Sequence, residues 1–396
     1  MGVSKPVHPV SWQRRAGVWL GISINPAAVS VGGGLAIHLP LRDLLWLIPL
    51  GAALLTLVCT AQGLAGRRRG QRLTQMAATT FGAPWGAGLL NLLMGIGMMG
   101  WGGFHGGVSG ASAAQLLHIP GWAGALLVAT TIFILAELGV NRWSAVSWLT
   151  TSAALGLTIF ALSAVDLSLP QEVAPAIHWG DWVWGMGTII AYATLFALRN
   201  SDFTWDMASD ADVWKVSSTL FIPLIFSMGI GVLLYHATGH WNIADILSTT
   251  RSATLGHIFL LLAVTAPLLS GLYSGALALS SVTRLHLRYT TALICGMTFV
   301  LASLRFDKRL LPFLGINGAA LGPALGVMLL VHWLPTKPAP RIAFTAWVLG
   351  AAVAILCQLQ GQSIALVLGA GVSLLIVLVN SLFGGIQHRR TIITEK

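Results

Sequence analysis

The chain has 396 residues, of which 56% are hydrophobic and 9% are charged, and its mean hydropathy is +0.80. One soluble core could not bury so much apolar surface, so the composition excludes a soluble protein and predicts an integral membrane protein. The net charge of +10 does not indicate nucleic-acid binding. Its densest cluster, RRRGQR, is a short connection between two apolar runs, and no domain that interleaves aromatic and basic residues accompanies it.

Apolar runs long enough to cross a membrane occur about twelve times, since a hydrocarbon layer of roughly 30 Å needs about 20 helical residues. The third and eighth runs exceed this length, which predicts tilt or an interfacial extension. Arg14 and Arg15 precede a first run too long for the apolar region of a signal peptide, so we expect this run to stay in the mature protein. The runs lie near residues 16–37, 44–65, 84–117, 122–140, 146–165, 182–198, 216–235, 255–279, 285–303, 311–333, 342–359 and 364–385.

The positions of Lys and Arg predict the orientation of the chain in the membrane. With the N-terminus inside, all but five of the 22 basic residues fall on the cytoplasmic side, the exceptions being Arg42, Arg251, Arg305, Lys308 and Arg309. We therefore expect a multi-pass protein of the bacterial cytoplasmic (inner) membrane with both termini in the cytoplasm. The connections are too short for a soluble domain of even ~50 residues, so residues 1–396 form one membrane domain.

The three cysteines, Cys59, Cys295 and Cys357, all fall within apolar runs. This placement is typical of small buried hydrophobic side chains, and it predicts neither a disulfide framework nor a zinc site.

The first run contains ISINPAAVSVGGG, with Asn25 and Pro26 at its centre. Proline removes one helical hydrogen bond and clashes with the carbonyl four residues back, which frees backbone groups near Ile22 at membrane depth. Such groups must face protein, water or a ligand, and secondary transporters use broken helices of this kind at their binding sites. The alternative is a proline kink whose open groups bond to Ser23 or Ser30. The neighbouring Asn25 favours a site, because lipid offers an amide no partner.

The stretch GISINPAAVSVGGGLAIHLPLRD resembles the first helix and following loop of the nucleobase-cation-symport family, the permeases for purines, cytosine, uracil, allantoin and hydantoins. Four further stretches resemble the family in order and spacing: GLAGRRRGQRLTQMAATTFGAPWG, GIGMMGWGGFHGG, RNSDFTWDMASDADVWK and LPFLGINGAALGPALGVMLLVHWL. The resemblance covers nearly the whole chain, and the order of the stretches carries it more than any single one.

This resemblance implies an all-α membrane fold of the leucine-transporter type, with five helices repeated in inverted orientation and two extra C-terminal helices. The corresponding boundaries are 16–165 for the first repeat, 182–333 for the second and 342–385 for the additional helices. The first and sixth helices of this fold are broken at the substrate site. Here the sixth run has no proline, so we expect its break near Ala191 and Tyr192.

The third run carries the residues best suited to bind a ligand. At about 100° per residue, one helix face holds Met94, Met98, Trp101, His105, Val108 and Ser112, and the opposite face holds Gly100, Gly103, Gly106, Gly107 and Gly110. The glycines allow another helix to approach closely. Trp101 and His105 offer an indole and an imidazole one turn apart, which suits a flat heteroaromatic ring. In the family the tryptophan stacks on the substrate, and a polar residue one turn later bonds to it. The alternatives are a core aromatic for Trp101 and a bond to a neighbouring helix for His105.

Four more residues are candidates for the substrate site. Asn25 lies at the first break and Tyr192 at the expected second one, where related permeases carry another stacking aromatic. Ser270 and Tyr273 fall in TAPLLSGLYSGALAL, the counterpart of the eighth helix, which lines the site in the family. For each of them the alternative is a hydrogen bond to a neighbouring helix.

The resemblance also bears on the coupling ion. Sodium-coupled members hold the cation with carbonyls of the broken first helix, here around Ile22 and Asn25, and with paired hydroxyls on the eighth. Aligned on Leu272 and Tyr273, the corresponding stretch is Thr265-Ala266-Pro267-Leu268, so only Thr265 supplies a hydroxyl. Na⁺ must replace its hydration shell with oxygens. We therefore expect coupling to protons, with His105 as the titrating group, or no coupling, and we expect no sodium requirement.

Glu137 is the only carboxylate inside an apolar run, and Arg142 follows five residues later. An interfacial ion pair is the interpretation we prefer, with a proton relay as the alternative. Four aspartates after the sixth run are expected on a solvated face or a gate surface: Asp202, Asp206, Asp210 and Asp212.

The chain therefore predicts a monomeric symporter that imports a small planar heterocycle, such as cytosine, another nucleobase or a pyrimidine vitamin precursor, by alternating access. Its partners are the heterocycle and membrane lipid, without nucleic acid, cofactor or bound metal. The alternatives are a permease of the same superfamily with a different small substrate, an intramembrane enzyme, and a channel or receptor. The enzyme is disfavoured because no HExxH motif and no cluster of nucleophiles occurs, and the channel because no polar ring is evident.

Overall fold

The computed structural model describes residues 9–138, 143–163, 179–248, 253–335 and 337–394. Within these ranges nine helical segments are long and apolar enough to cross a membrane, and three shorter apolar helices accompany them, Gly121–Glu137, Trp148–Ser163 and Leu287–Ser303. The predicted set of about twelve apolar runs is thus confirmed as helices. The third and eighth runs form the long segments Trp85–Leu117 and Thr254–Thr283, as their length predicts.

The first five crossings follow the predicted order. The first consists of α1 (Gln13–Ser23) and α2 (Pro26–Ala36), and the second is α3 (Leu41–Arg69). The short α4 (Leu73–Phe81) connects it to α5 (Trp85–Leu117), which is followed by α6 (Gly121–Glu137) and α7 (Trp143–Ser163).

The next five crossings contain more interruptions. They are α8 (Trp179–Leu198) with α9 (Asn200–Thr204), α10 (Asp210–Ser218) with α11 (Phe221–Thr238), α13 (Ala253–Ala263) with α14 (Thr265–Thr283), α15 (Leu287–Ser303), and α16 (Leu310–Trp333). The short α12 (Ile243–Ser248) precedes α13, and a 3-10 turn, Phe306–Arg309, precedes α16. The last two crossings are α17 (Pro340–Leu359) and α18 (Ala365–Thr394). The exact boundaries of the two inverted repeats stay a prediction.

The first crossing is broken at the predicted place. Ile24 leaves the helical conformation, and Asn25 is extended, with φ −150° and ψ 162°. The Asn25 side chain then accepts hydrogen bonds from the N–H groups of Ala27 (2.7 Å) and Ala28 (3.1 Å), while Pro26 takes the first position of α2. Proline suits that position because its missing N–H would have no helical partner there. Ser23 bonds back to Trp19, as the kink alternative required, but the helix is broken rather than bent.

The glycines of α2 pack against the backbone of α11. A Cβ atom on Gly32 would overlap the backbone of Met228, and one on Gly231 would overlap the carbonyl of Val29. A Cβ on Gly33 would lie 3.1 Å from the Cα of Trp241. Only glycine allows two helices to approach this closely, so α2 and α11 form one tightly packed pair.

The predicted break of the sixth crossing is wrong. Helix α8 runs without interruption from Trp179 to Leu198, so Ala191 and Tyr192 are ordinary helical residues. Without a proline in this segment, nothing removes a backbone hydrogen bond there. The helical run is interrupted instead at Arg199, with φ −82° and ψ 1°, between α8 and α9.

The glycine face of α5 lies against other helices, as predicted. A Cβ on Gly106 would lie 2.9 Å from Cγ2 of Thr298 on α15, and one on Gly110 would lie 2.9 Å from Cα of Ala125 on α6. The opposite face of α5 is therefore directed toward the remaining helices of the bundle.

Ion pairs tie together the end of the molecule that we predict to be cytoplasmic. Asp206, 8% exposed, accepts from Arg15 at 3.0 Å, and Asp210 pairs with both Arg67 and Arg68. The expectation of a solvated face is therefore wrong for Asp206, whose carboxylate is taken up by an ion pair with the N-terminal helix; a role as a gate surface stays a prediction.

Glu137 pairs with Arg288 of α15, at 3.3 Å. Its predicted partner Arg142 lies outside the described residues. The three cysteines are unpaired.

Candidate functional site

Trp101 lies at the centre of an aromatic cluster on α5, and only 3% of its surface is exposed. The His105 imidazole stacks on it, with ring centroids 5.6 Å apart and an interplanar angle of 23°. Tyr192 meets the indole edge-on at 5.5 Å, and Phe196 and Phe313 lie at 5.6 and 5.9 Å. The two residues predicted to bind a flat ring are thus side by side in a pocket of aromatic side chains.

Two polar atoms of this cluster lack hydrogen bonds within the part of the chain that the structure describes. They are Nε1 of Trp101 and Nδ1 of His105. A buried polar atom without a partner costs free energy of about 1 to 3 kcal/mol. The alternative in which His105 is bonded to a neighbouring helix finds no support at Nδ1, and both atoms are free to bind a ligand.

A small central cavity adjoins this cluster. Its volume is about 10 Å³, which is room for about one water molecule. Residues of α5, α6, α14 and α15 line it, including Met98, Trp101, His105, Pro267, Gly271 and Thr298. A heterocycle would not fit without movement of side chains, so this conformation is closed at the centre.

The open carbonyls of the first break are bound by side chains. The Tyr192 hydroxyl donates to the carbonyl of Ile22 at 2.7 Å, and the Asn25 amide donates to the same carbonyl, to the Gly21 carbonyl at 3.4 Å and to the Tyr192 hydroxyl at 3.0 Å. Three predicted site residues, Ile22, Asn25 and Tyr192, are therefore joined in one network although 167 positions separate Asn25 from Tyr192. This network links α8 to the break between α1 and α2.

The candidates on the eighth crossing are dispersed. Thr265 donates to the Leu261 carbonyl at 3.1 Å and lines a separate, apolar cavity between α5, α6, α7 and α13. The residue of α14 that faces α1 is Ala266, whose Cβ lies 3.5 Å from where a Cβ on Gly21 would be. Tyr273 is half-buried and does not line the central cavity, whereas Ser270 is buried close to it.

Arg199 is a buried residue that sequence reasoning placed only among the cytoplasmic charges. Its side chain is fully buried and donates to the carbonyl of Ser270 at 2.8 Å and to the hydroxyl at 3.1 Å. The guanidinium also lies over the ring of Phe196, 4.7 Å from its centroid, and contacts the sulfur of Met98 at 3.8 Å. Among the described residues no carboxylate lies within ion-pair distance of it. The only sequence signal was its position directly after an apolar run, which is also where loop arginines occur.

No family model and no curated protein matches the sequence. Solved structures match it by fold. The closed conformation of Mhp1, a nucleobase-cation-symport-1 family transporter with bromovinylhydantoin bound, has 17% sequence identity and a TM-score of 0.74, covering 95% of this chain and 94% of that chain. The inward-facing conformation of Mhp1 has 16% identity and a TM-score of 0.72, with coverages of 98% and 94%.

More distant folds match as well. A substrate-bound, outward-open Na⁺-coupled sialic acid symporter has 13% identity and a TM-score of 0.65, covering 94% of this chain and 90% of that chain. The manganese transporter of Eremococcus coleocola has 12% identity and a TM-score of 0.57, with 98% of each chain covered. At these identities the likeness establishes the fold alone. The resemblance found in the motifs is confirmed at that level: the chain is a multi-pass helical membrane protein with the leucine-transporter-type fold of the nucleobase-cation-symport-1 transporter Mhp1.

Proposed function

We propose that the protein is a secondary active transporter of the nucleobase-cation-symport type, which imports a small planar heterocycle across the bacterial cytoplasmic membrane by alternating access. The observation that carries the proposal is the pair Trp101 and His105. Their rings lie together in a buried aromatic cluster, and each has a polar atom without a partner in the described part of the chain. A flat ring with polar edges satisfies both features, because it stacks on the indole and bonds to the free atoms.

The position of this cluster supports a transport role. Tyr192, which contacts the Trp101 ring, also donates to the carbonyl of Ile22 at the break of the first crossing. A ligand that contacts Trp101 would therefore be linked to the broken helix through the Tyr192 side chain. Transporters with broken helices move substrate past such a site when one group of helices rocks against the other. In Mhp1 a bromovinylhydantoin, itself a substituted heterocycle, is bound, which agrees in kind with the substrate proposed here.

The test is a thermal-shift and uptake screen of the purified protein against cytosine, uracil, adenine, hypoxanthine, hydantoin, allantoin and hydroxymethylpyrimidine. Sialic acid and Mn²⁺ serve as controls for the substrates of the other fold relatives. We expect at least one heterocycle to raise the melting temperature and to accumulate in proteoliposomes against its gradient. Stabilisation by a control compound alone would overturn the proposal that the substrate is a heterocycle. A chemically altered product would indicate an enzyme.

We also propose that transport does not require sodium. Of the oxygens expected to hold Na⁺, the Ile22 carbonyl already accepts hydrogen bonds from Tyr192 and Asn25, and the Thr265 hydroxyl donates to the Leu261 carbonyl of α13. The α14 residues Ala266 and Pro267 add no side-chain oxygen. The measurement compares uptake under an imposed Na⁺ gradient at constant pH with uptake under a pH gradient in sodium-free buffer. Strong stimulation by the sodium gradient alone contradicts the proposal.

A further inference from the structure

A further cavity, called the outer cavity below, lies at the end of the bundle that the basic residues predict to be cytoplasmic. Its volume is about 240 Å³. Drug-sized ligands occupy pockets from about 300 Å³ upward, so this cavity suits a smaller molecule. It lies between the start of α4, the first turns of α5, helix α9 and the last turns of α14, and its lining includes Arg72, Asn91, Met94, Asp202 and Ser274.

Two of the lining side chains have polar atoms that nothing in the described chain satisfies. Asn91 and Ser274 are each 4% exposed, and Oδ1 of Asn91 and Oγ of Ser274 have no hydrogen-bond partner. Buried polar side-chain atoms are nearly always bonded to protein or ordered water. Two such atoms at one cavity therefore indicate a place where a polar molecule is bound.

A further polar group at this cavity is the carboxylate of Asp202. Its Oδ1 accepts from the N–H of Leu73 at 2.8 Å. The Asn91 carbonyl oxygen and the Asp202 carboxylate are both acceptors, and the Ser274 hydroxyl both donates and accepts. These three oxygens favour a molecule that presents N–H donors, such as a ring nitrogen or an exocyclic amine, and the Arg72 guanidinium at the same cavity can donate to an acceptor on it.

The same helix faces connect this cavity to the central one. On α5, Asn91, Met94, Met98, Trp101 and His105 follow one another at spacings of three and four residues, so they share one face of the helix. Met94 lines the outer cavity, while Met98 and Trp101 line the central one.

On α14, Ser274 lines the outer cavity and Gly271 lines the central one. Ser270 of the same helix accepts a hydrogen bond from Arg199. Arg199 lines neither cavity, but it contacts Met98 of the central lining and Ser270, which lies one helical turn before Ser274 of the outer lining. We infer from these contacts that its side chain lies between the two cavities. A molecule that passes from one cavity to the other would have to displace the Arg199 guanidinium from Ser270.

We propose that the outer cavity is a second binding site for the transported solute, occupied between the central site and the cytoplasm, and that the bond from Arg199 to Ser270 closes the passage between them. The proposal rests on the transport function proposed above. It assigns to Asn91 and Ser274 the recognition of N–H donors on the solute as it is released.

The test uses the heterocycle from the screen that the native protein transports, with half-saturation measured from each side of the membrane in right-side-out and inside-out vesicles. Ser274→Ala and Asn91→Leu each remove one polar atom from the outer cavity. We expect each to raise the half-saturation concentration on the cytoplasmic side about fivefold, the worth of one hydrogen bond, and to leave the external value unchanged.

Ser227→Ala is the matched control, because Ser227 on α11 is also a fully buried serine whose hydroxyl has no partner in the described chain, and it lines neither cavity. It should change neither value. If Ser274→Ala and Asn91→Leu leave the half-saturation concentrations on both sides equal to those of the native protein, the second site is overturned. Failure of the proposed function is a different result, since the native protein would then transport none of the heterocycles.

Discussion

The first and the sixth crossings are both interrupted, but the side chains at the two breaks bond to different parts of the chain. At the first break, Asn25 caps α2 through the N–H groups of Ala27 and Ala28, two and three residues away. At the sixth, Arg199 lies between α8 and α9 and donates to Ser270, 71 positions later in the chain. The cap of the first break comes from its own neighbours in sequence, although Tyr192 of α8 also bonds to its Ile22 carbonyl, whereas the side chain at the sixth break bonds to a distant helix.

This difference bears on how the two crossings respond to movement. Separation of α9 from α14 must break the bonds of Arg199, whereas the cap at Asn25 stays intact when its helix moves. The Arg199 bonds at the sixth break therefore depend on the arrangement of the bundle, whereas the Asn25 cap at the first break does not. Substitutions at the two breaks should accordingly differ in size and in kind.

The largest effect is expected for Arg199→Met, which keeps much of the apolar stem and removes the charged group. Loss of its hydrogen bonds to Ser270 should lower the free energy of unfolding by about 3 kcal/mol, since hydrogen bonds to charged groups are worth about 1.5 to 3 kcal/mol each and do not add fully. Denaturation of the purified protein measures the change. Arg199→Lys keeps the charge but lacks the planar guanidinium, so its free energy of unfolding should lie between that of the native protein and that of Arg199→Met. A stability equal to that of the native protein would show that the sixth break does not depend on Arg199.

The next largest effect is expected at Trp101 and concerns the affinity for the solute. If the solute stacks on Trp101, Trp101→Ala should cost roughly 1 to 3 kcal/mol of binding, by analogy with base stacking on aromatic side chains. Trp101→Phe should retain part of the affinity, and both variants should insert into the membrane normally. Unchanged affinity in the alanine variant would remove Trp101 from the site. His105→Gln, which keeps a side chain that can donate and accept hydrogen bonds, should change the preference among heterocycles more than the expression level.

A smaller effect is expected at the first break. Asn25→Ala removes the cap of α2, which should cost about 1 kcal/mol of stability, and it also removes the bond to Tyr192. Asn25→Asp keeps an acceptor for the cap but cannot donate to the Ile22 carbonyl, so it separates the two contributions. If Asn25→Ala destabilises the protein more than Arg199→Met, the comparison of a local and a distant closure is wrong.

The smallest effect is expected at Asp202, whose Oδ1 accepts from the Leu73 N–H at 2.8 Å and which lines the outer cavity. Asp202→Asn keeps an acceptor oxygen and removes the negative charge. Half-saturation from the cytoplasmic side should therefore rise by less than the about fivefold change expected for the loss of a whole hydrogen bond. Uptake into inside-out vesicles measures it, and an unchanged value would show that the carboxylate does not bind the solute.

The comparison also explains which parts of the structure were predictable. The first break was predictable because Asn25 and Pro26 determine it within two adjacent positions. The face of α5 with Trp101 and His105 was predictable because helical spacing alone places them together. The contact of Arg199 with α14 was not predictable, since no local pattern encodes a partner 71 positions away. The position of Thr265 was not predictable for the same reason, because the packing of α14 decides which of its faces meets α1.

The tight contact between α2 and α11 provides an internal reference distance. Because Gly32 and Gly231 leave no room between the two backbones, the distance between these helices should stay constant through a transport cycle. Spin labels at Ile37, just after α2, and at Ile222 on α11 would occupy exposed positions, 40% and 66% accessible. A third label on α1 at Gln13, across the break, would then report hinge opening against an internal standard in the same sample.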